Sequence, residues 1–442
     1  MVRIFSWWLN LVYLAALSVF SPLIVWQAIR TGKYRDGYAE KFLGLVPRRT
    51  DQETCIWIHA VSVGEVNLMA TTIAQLRAAH PDWQIVLSTT SRTGYELARK
   101  KYADLTVFYC PLDFSWAVRT AIRRVRPTLL VLAELELWPN LILAAKERGT
   151  RVAIINGRMS DHSFPGYRRI RPLISRLLRQ IDFIAAQNEE SAERFRALGA
   201  PADRVRVTGS LKYDGAQTDR NNSRTASLRQ LANISAEDIV FLAGSTQEPE
   251  EQMAIDIYRR LSPQHPKLRL ILVPRHPERF EAVAKVLNHS GLAWQRRTEL
   301  ENRRDPTGRR PIILVDTVGE LGAWWGTATI AFVGGSLGSR GGQNMIEPAA
   351  YGAAVSFGPN TWNFRDVVAA LVTADAAVVV RNANELDDFI RRCLDEPRYA
   401  AALGLRAHRL VQSQLGATGR TIALVDTLFS SETESAFQRK VA

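Results

Sequence analysis

Cysteine is scarce in this sequence. Three occur among 442 residues, Cys55, Cys110 and Cys393, scattered and with no CxxC or Cys/His spacing. That argues against a disulfide framework and against a structural zinc site, and it fits a reducing compartment. Low-complexity tracts and solenoid-type repeats are missing as well. The turn after the first β-prone run lacks GxGxxG, which disfavours a dinucleotide-binding dehydrogenase. No DxD-type acid pair follows a strand to hold a metal–nucleotide complex.

What is present is a globular composition on a chain too long for one ordinary core, suiting two domains and an appendage. The formal charge of +13 attracts polyanions: nucleic acid, an anionic membrane face or a phosphorylated substrate.

The appendage decides among these. Residues 4–29 carry no charged side chain and include Trp7, Trp8, Tyr13 and Trp26. As a helix the segment reaches about 39 Å, enough for a hydrocarbon layer of roughly 30 Å. Pro22 can kink it, and Asn10 and Gln27 make it less oily. Arg30, Lys33, Arg35 and Lys41 follow it, against Arg3 before it, so the body is expected on the cytoplasmic side. A cleaved signal peptide would have a shorter apolar region. The reading is an uncleaved anchor, spanning the bilayer or lying in its interface.

Beyond it, β-prone runs at 55–61, 84–89, 106–109, 128–133, 151–155, 182–187 and 205–208 alternate with helical patterns. The alternation restarts after a polar stretch, with strands expected at 239–243, 268–273, 312–315, 328–333, 353–357 and 376–380. Such a pattern predicts α/β domains with parallel sheets, whose ligands sit beyond the carboxyl ends of the strands. A basic amphipathic helix is expected over 167–179, where Arg168, Arg169, Arg171, Arg176 and Arg179 form either a solvated face or a contact with anionic head groups.

The loops at those strand ends carry the chemistry. Ser62-Val63-Gly64-Glu65 puts a carboxylate at a helix start, either a general base facing a cleft or an acid favoured by the helix dipole. Glu134-Leu135-Glu136-Leu137-Trp138-Pro139-Asn140 and Asn156-Gly157-Arg158 follow later strands. In the second half, Pro274-Arg275-His276-Pro277 offers a guanidinium fork for a phosphate or a base-edge carbonyl. The stretch 333–348, VGGSLGSRGGQNMIEP, brings glycines and then Glu347 to a helix mouth. Free N–H groups there suit an anion, and the acid suits sugar hydroxyls; a ligand-free glycine turn is the plainer alternative.

In order along the chain, SVGE (62–65), ELELWPN (134–140), AAQNEE (185–190), GSLKYD (209–214), PRHPERF (274–280), DTVGEL (316–321) and VGGSL…RGGQNMIEP together resemble the 3-deoxy-D-manno-octulosonic acid (Kdo) transferases of lipopolysaccharide assembly. The resemblance implies a GT-B architecture, two Rossmann-like domains facing across a cleft, with an N-terminal membrane-anchor helix. It implies an anchor at 1–30, an acceptor-binding domain at 31–215, a linker at 216–235 and a nucleotide-binding domain at 236–442. It implies CMP-Kdo as donor, a lipid A precursor (lipid IVA) as acceptor, and inversion by direct displacement. Neither cofactor nor metal is implied, and the expected partners are those substrates and an anionic inner-membrane surface rather than nucleic acid.

Carried over by position, Glu65 matches the family's catalytic base, and Glu134 and Lys212 match positions that stabilise the transition state. Pro274 and Arg275, then Val318, Gly319 and Glu320, then Asn344, Met345, Ile346 and Glu347 match the CMP-binding positions. Gln343 stands where the family pattern has His, and Leu135 where a small polar residue is expected.

Overall fold

A computed structural model describes residues 2–31, 36–301 and 310–441. Lys33 and Arg35, counted above in the basic flank, lie outside the described residues. The chain forms two compact units, Met1–Gly215 with Leu415–Ala442, and Ala216–Gln414.

The first unit is built on a seven-stranded sheet in the order β3-β2-β1-β4-β5-β6-β7, parallel throughout. Its strands are β1 (Cys55–His59), β2 (Gln84–Thr89), β3 (Thr106–Tyr109), β4 (Leu129–Ala133), β5 (Arg151–Gly157), β6 (Phe183–Ala186) and β7 (Val205–Val207). A parallel sheet carries helices on both faces, so its strands are apolar on both sides. β1 is an instance: Trp57 packs with Phe108 and Phe195 on one face, while Ile56 and Ile58 pack with Leu87 on the other. Truncating a buried tryptophan such as Trp57 to alanine costs about 3–5 kcal/mol.

The second unit repeats the plan, with a parallel sheet in the order β10-β11-β9-β8-β12-β13-β14. Here β8 is Ile239–Thr246, β9 Leu268–Pro274, β10 Trp294–Arg296, β11 Ile312–Leu314, β12 Ile330–Val333, β13 Ala354–Phe357 and β14 Ala377–Val379. In both sheets the first strand of the unit lies in the interior of the sheet and the order reverses beside it, between β1 and β4 and between β8 and β12. These are the switch points where open α/β sheets bind ligands.

Four details depart from the sequence reading. β10 was not expected, because an edge strand of Trp, Gln and Arg carries no apolar run. The expected linker contains a helix, Ser223–Leu231, capped by Asn222 accepting from the Thr225 N–H at 3.0 Å. Thr225 Oγ1 donates to Ala323 O (3.0 Å) and Arg220 Nη2 to Ala328 O (2.8 Å), so this segment is folded into the second unit. The expected basic helix is two short ones, Phe164–Arg169 and Arg171–Leu178, with Pro172 in the first turn of the second; its five arginines are exposed.

The fourth departure is the C-terminal helix, Ala417–Val441, which belongs to the first unit although the second domain was expected to run to 442. Asp214, the last residue of GSLKYD, explains this. Its carboxylate accepts the N–H groups of Gly416 (2.7 Å), Ala417 (3.3 Å) and Thr418, capping the helix. Ile422 and Val425 then enter the core that holds Ile56 and Ile58, and His80 Nε2 lies 2.7 Å from Asp426 Oδ1.

Candidate active site

At the switch point of the first sheet, the chain leaving β1 turns into the helix Val63–Ala79. Ser62 caps that helix by accepting the Glu65 N–H (3.3 Å), and its hydroxyl donates to Glu65 Oε1 (2.9 Å). Glu65 Oε2 accepts the Val61 N–H at 2.8 Å. This is close to a capping box, in which an acid three residues past the cap reaches back to the chain before it. The helix-start reading of Glu65 is therefore correct, and it does not exclude a chemical role. Burial pushes the Glu65 carboxyl up to about 7; the Val61 and Ser62 hydrogen bonds oppose the rise, and Glu134 and Glu136 add to it.

Those two acids follow β4, the neighbour of β1. Glu134 takes a left-handed backbone (φ 57°), and its N–H donates to Ile155 O (2.9 Å). A non-glycine residue there stores local strain, a feature that clusters at functional sites. Glu136 Oε2 accepts from Trp138 Nε1 (2.8 Å), and burial raises its carboxyl as well. The buried ring of His59, at the end of β1, lies 6.4 Å from that of Trp138. Burial lowers His59 to about 4, so it stays neutral beside the acids. Lys212 sits on the turn after β7. The Leu211 N–H donates to Asn156 Oδ1 (3.0 Å), which draws that turn from the sheet edge toward β5.

The second unit assembles its residues around the end of β8. Asn344 Nδ2 donates to Glu347 Oε1 (3.0 Å). Burial raises the Glu347 carboxyl, against the Asn344 hydrogen bond and the positive charge of Arg275. Arg275 is exposed beyond β9, with its N–H on Thr246 O (3.0 Å), and Pro274 pairs with Thr246 in the sheet. Val318 is exposed and Gly319 has φ 89°. A side chain at Gly322 would reach within 3.9 Å of Glu347 Oε2, so the turn after β11 and the Asn344–Glu347 segment are neighbours. Met345 and Ile346 are buried.

Comparison with known proteins matches this framework. Residues 36–215 fit the family model described as 3-deoxy-D-manno-octulosonic-acid transferase (kdotransferase). A 3-deoxy-D-manno-octulosonic acid transferase of Haemophilus influenzae is 32% identical over 419 residues, covering 93% of this chain and 97% of that protein. The chain belongs to the Kdo transferase family. A bifunctional glycosyltransferase/methyltransferase of Fusobacterium nucleatum is 34% identical over 362 residues; the match takes in 80% of this chain but 56% of that longer protein. Among solved structures, a UDP-GlcNAc 2-epimerase from Neisseria meningitidis bound to UDP-GlcNAc superposes with a TM-score of 0.55 at 15% identity, over 85% of this chain and 100% of that one. That likeness is one of fold, the GT-B architecture.

For a Kdo transferase, the surprise lies in the glycine stretch. Its N–H groups were expected to be free for an anion, and those of its first turn are not. Glu250, buried beneath it, accepts from Gly335 (2.8 Å), Ser336 (3.2 Å), Leu337 (3.1 Å) and Gln247 (2.9 Å). The Ile346 N–H goes to Asn344 Oδ1 (3.1 Å). The helix that follows, Ile346–Ala350, is a single turn. Gly334 must be glycine, because a Cβ there would meet Thr246 Cα at 2.6 Å and Glu250 Oε2 at 2.7 Å.

Glu320 is likewise engaged. Its oxygens accept from Arg297 Nε and Nη2 (2.9 Å each) and from Thr317 Oγ1 (2.8 Å). Burial alone would raise its carboxyl, yet these partners hold it below the usual range. Arg275, exposed, is a cation whose charge bears on Glu347. Sequence reading passed over Glu250 because its role depends on a loop that lies far along the chain.

Proposed function

We propose that this member of the family moves Kdo from CMP-Kdo to a sugar hydroxyl of the lipid A precursor with inversion. The observation carrying the proposal is the acid group at the β1/β4 switch point. There a half-buried Glu65, biased by Glu134 and Glu136, has a carboxyl at about 7, near the operating pH that suits a general base.

In this mechanism Glu65 takes the hydroxyl proton while the acceptor oxygen bonds to the anomeric carbon of Kdo. The bond from that carbon to the CMP phosphate breaks, and its electron pair leaves with the phosphate. CMP is already an activated leaving group, so the protein's task there is to balance its charge. Arg275 suits the phosphate, and Lys212 suits either the phosphate or the Kdo carboxylate. Asn344 and Glu347 suit the ribose hydroxyls, while Pro274, Val318, Gly319, Met345 and Ile346 shape the nucleotide side through backbone and packing. Glu320, held by Arg297, contributes by fixing its turn. Glu134 tunes Glu65 through its charge.

Several features support work at a membrane: the apolar N-terminal helix, the arginines exposed on 164–179, and the excess of basic residues after the helix, which favours the cytoplasmic face. The test is Glu65→Gln, which keeps an acceptor for the Val61 N–H. The expected result is unchanged CMP binding with transfer reduced about 10²–10⁴-fold. Transfer near the wild-type rate would leave Glu65 as a helix cap alone. Competition by CMP but not by UDP checks the donor.

A further inference from the structure

Val61 stands between β1 and the helix Val63–Ala79 and belongs to neither. The ladder from β1 to β2 closes one residue earlier, where the Ala60 N–H donates to Ser88 O (2.9 Å). Neither sheet nor helix therefore sets the orientation of Val61, although its N–H is the one that holds Glu65 Oε2 (2.8 Å).

The turn after β2 takes the Val61 carbonyl instead. Thr89 Oγ1 donates to Val61 O at 3.0 Å, and the hydroxyls of Thr90 and Ser91 each reach it at 3.4 Å. Thr89 is fully buried at the end of β2. Ser91 also caps the next helix, Arg92–Lys101, by accepting the Gly94 N–H (3.1 Å). Three hydroxyls around one carbonyl need room, and Gly94 supplies it. A Cβ there would stand 2.6 Å from Thr89 Oγ1 and 2.7 Å from Ser91 Oγ, closer than a carbon and an oxygen pack.

Both polar groups of Val61 are thus engaged, its C=O by the β2 turn and its N–H by the Glu65 carboxylate. A residue outside regular structure has two soft backbone angles, and a hydrogen bond at its carbonyl restrains them. A base needs such restraint, because a misplacement of about 1 Å can cost about 10²-fold in rate. Charge reaches Glu65 from Glu134 and Glu136 on the β4 side, while His59 at the end of β1 stays neutral. Arg92, in the first turn beyond Ser91, is exposed and paired with Glu96 (2.8 Å) and Asp36 (3.5 Å). The hydroxyls themselves are neutral, so they act on Glu65 through geometry.

We propose that Thr89, seated in the space left by Gly94, is a positioning residue for the base: its hydroxyl fixes Val61, and Val61 fixes Glu65. The inference rests on the reading of Glu65 as that base.

Three variants of the full chain test it, with transfer followed against pH and melting curves to establish folding. Thr89→Val deletes the hydroxyl but keeps the shape and the β-branch. Gly94→Ala drives the hydroxyls off the carbonyl with Thr89 in place, and Thr89→Ser keeps the donor. The Val61 N–H favours the ionised form of Glu65, so loosening it moves the acidic limb of kcat to higher pH. Thr89→Val and Gly94→Ala are expected to show that move, about 0.5–1 pH unit for one hydrogen bond, with a plateau about tenfold lower. Thr89→Ser should keep the wild-type limb, and Thr89→Val should cost nothing further in a Glu65→Gln background. A limb that stays at its wild-type pH in Thr89→Val, with or without a slower plateau, would overturn the proposal. So would an added loss in the double variant. Should Thr89→Val not fold, the limb of Gly94→Ala decides. Transfer by Glu65→Gln near the wild-type rate would instead remove the base reading itself, a separate outcome.

Discussion

Glu250 holds Gly335 by a 2.8 Å hydrogen bond from the glycine's N–H to its carboxylate, and through it the glycine stretch is fastened to the end of β8. The same carboxylate binds the N–H groups of Gln247, Ser336 and Leu337. An anion-shaped nest is thus filled by the protein's own anion, and the loop delivers Asn344 and Glu347 as an already ordered unit.

Glu250→Ala is expected to destabilise the protein on the order of 3 kcal/mol or more, since each buried donor left without a partner costs about 1–3 kcal/mol. Glu250→Gln places an amide NH₂ among donors and keeps one acceptor, so it is the milder change. In a folded Glu250→Gln variant the KM for CMP-Kdo should rise more than kcat falls. A variant with unaltered denaturation midpoint and unaltered KM would show that the loop orders itself without the carboxylate.

Arg275 is an exposed cation whose charge acts at Glu347, the partner of Asn344. Arg275→Ala is expected to weaken CMP binding about tenfold, in line with about 1.5–3 kcal/mol for a hydrogen bond to a charged group, part of it offset by water. Binding to wild type should weaken with added salt, and binding to the variant should depend on salt less steeply. Calorimetric titration with CMP at two salt concentrations reads both effects.

Asp214 caps the C-terminal helix through the N–H groups of Gly416, Ala417 and Thr418. Replacing a helix cap with alanine costs about 0.5–2 kcal/mol. Asp214→Ala should therefore lower the denaturation midpoint and make residues 417–429 exchange amide hydrogens sooner. Unchanged exchange there would mean that Ile422 and Val425 hold the helix by packing alone.

The strands were legible because a parallel sheet covered on both faces writes an unbroken apolar run, as in Cys55–His59. The acids at the β1/β4 switch were legible for the same reason, since strand ends are where such runs stop. The rest depended on pairs distant in sequence. Asp214 meets Gly416, Glu250 meets Gly335, and Asn10 meets Ser115, and no local pattern marks any of them.

The pH behaviour of Glu65 ties its two roles together. In the unfolded chain its carboxyl titrates near the ordinary 4.5, and in the folded protein at about 7. Between those values the unfolded state has released the proton and the folded state still holds it. This group's contribution to stability therefore falls as pH rises from about 4.5 to 7 and levels off above the folded value. Glu65→Gln removes that linkage. Its denaturation midpoint relative to wild type should climb across this window and stay flat at higher pH. As a base, Glu65 acts only when ionised, so wild-type kcat should fall as pH drops below about 7. The two midpoints, one from melting curves and one from the transfer rate, should coincide in the absence of substrate-induced shifts. A stability difference that does not vary with pH would remove the raised carboxyl, and with it the reason to read this helix-start acid as the base.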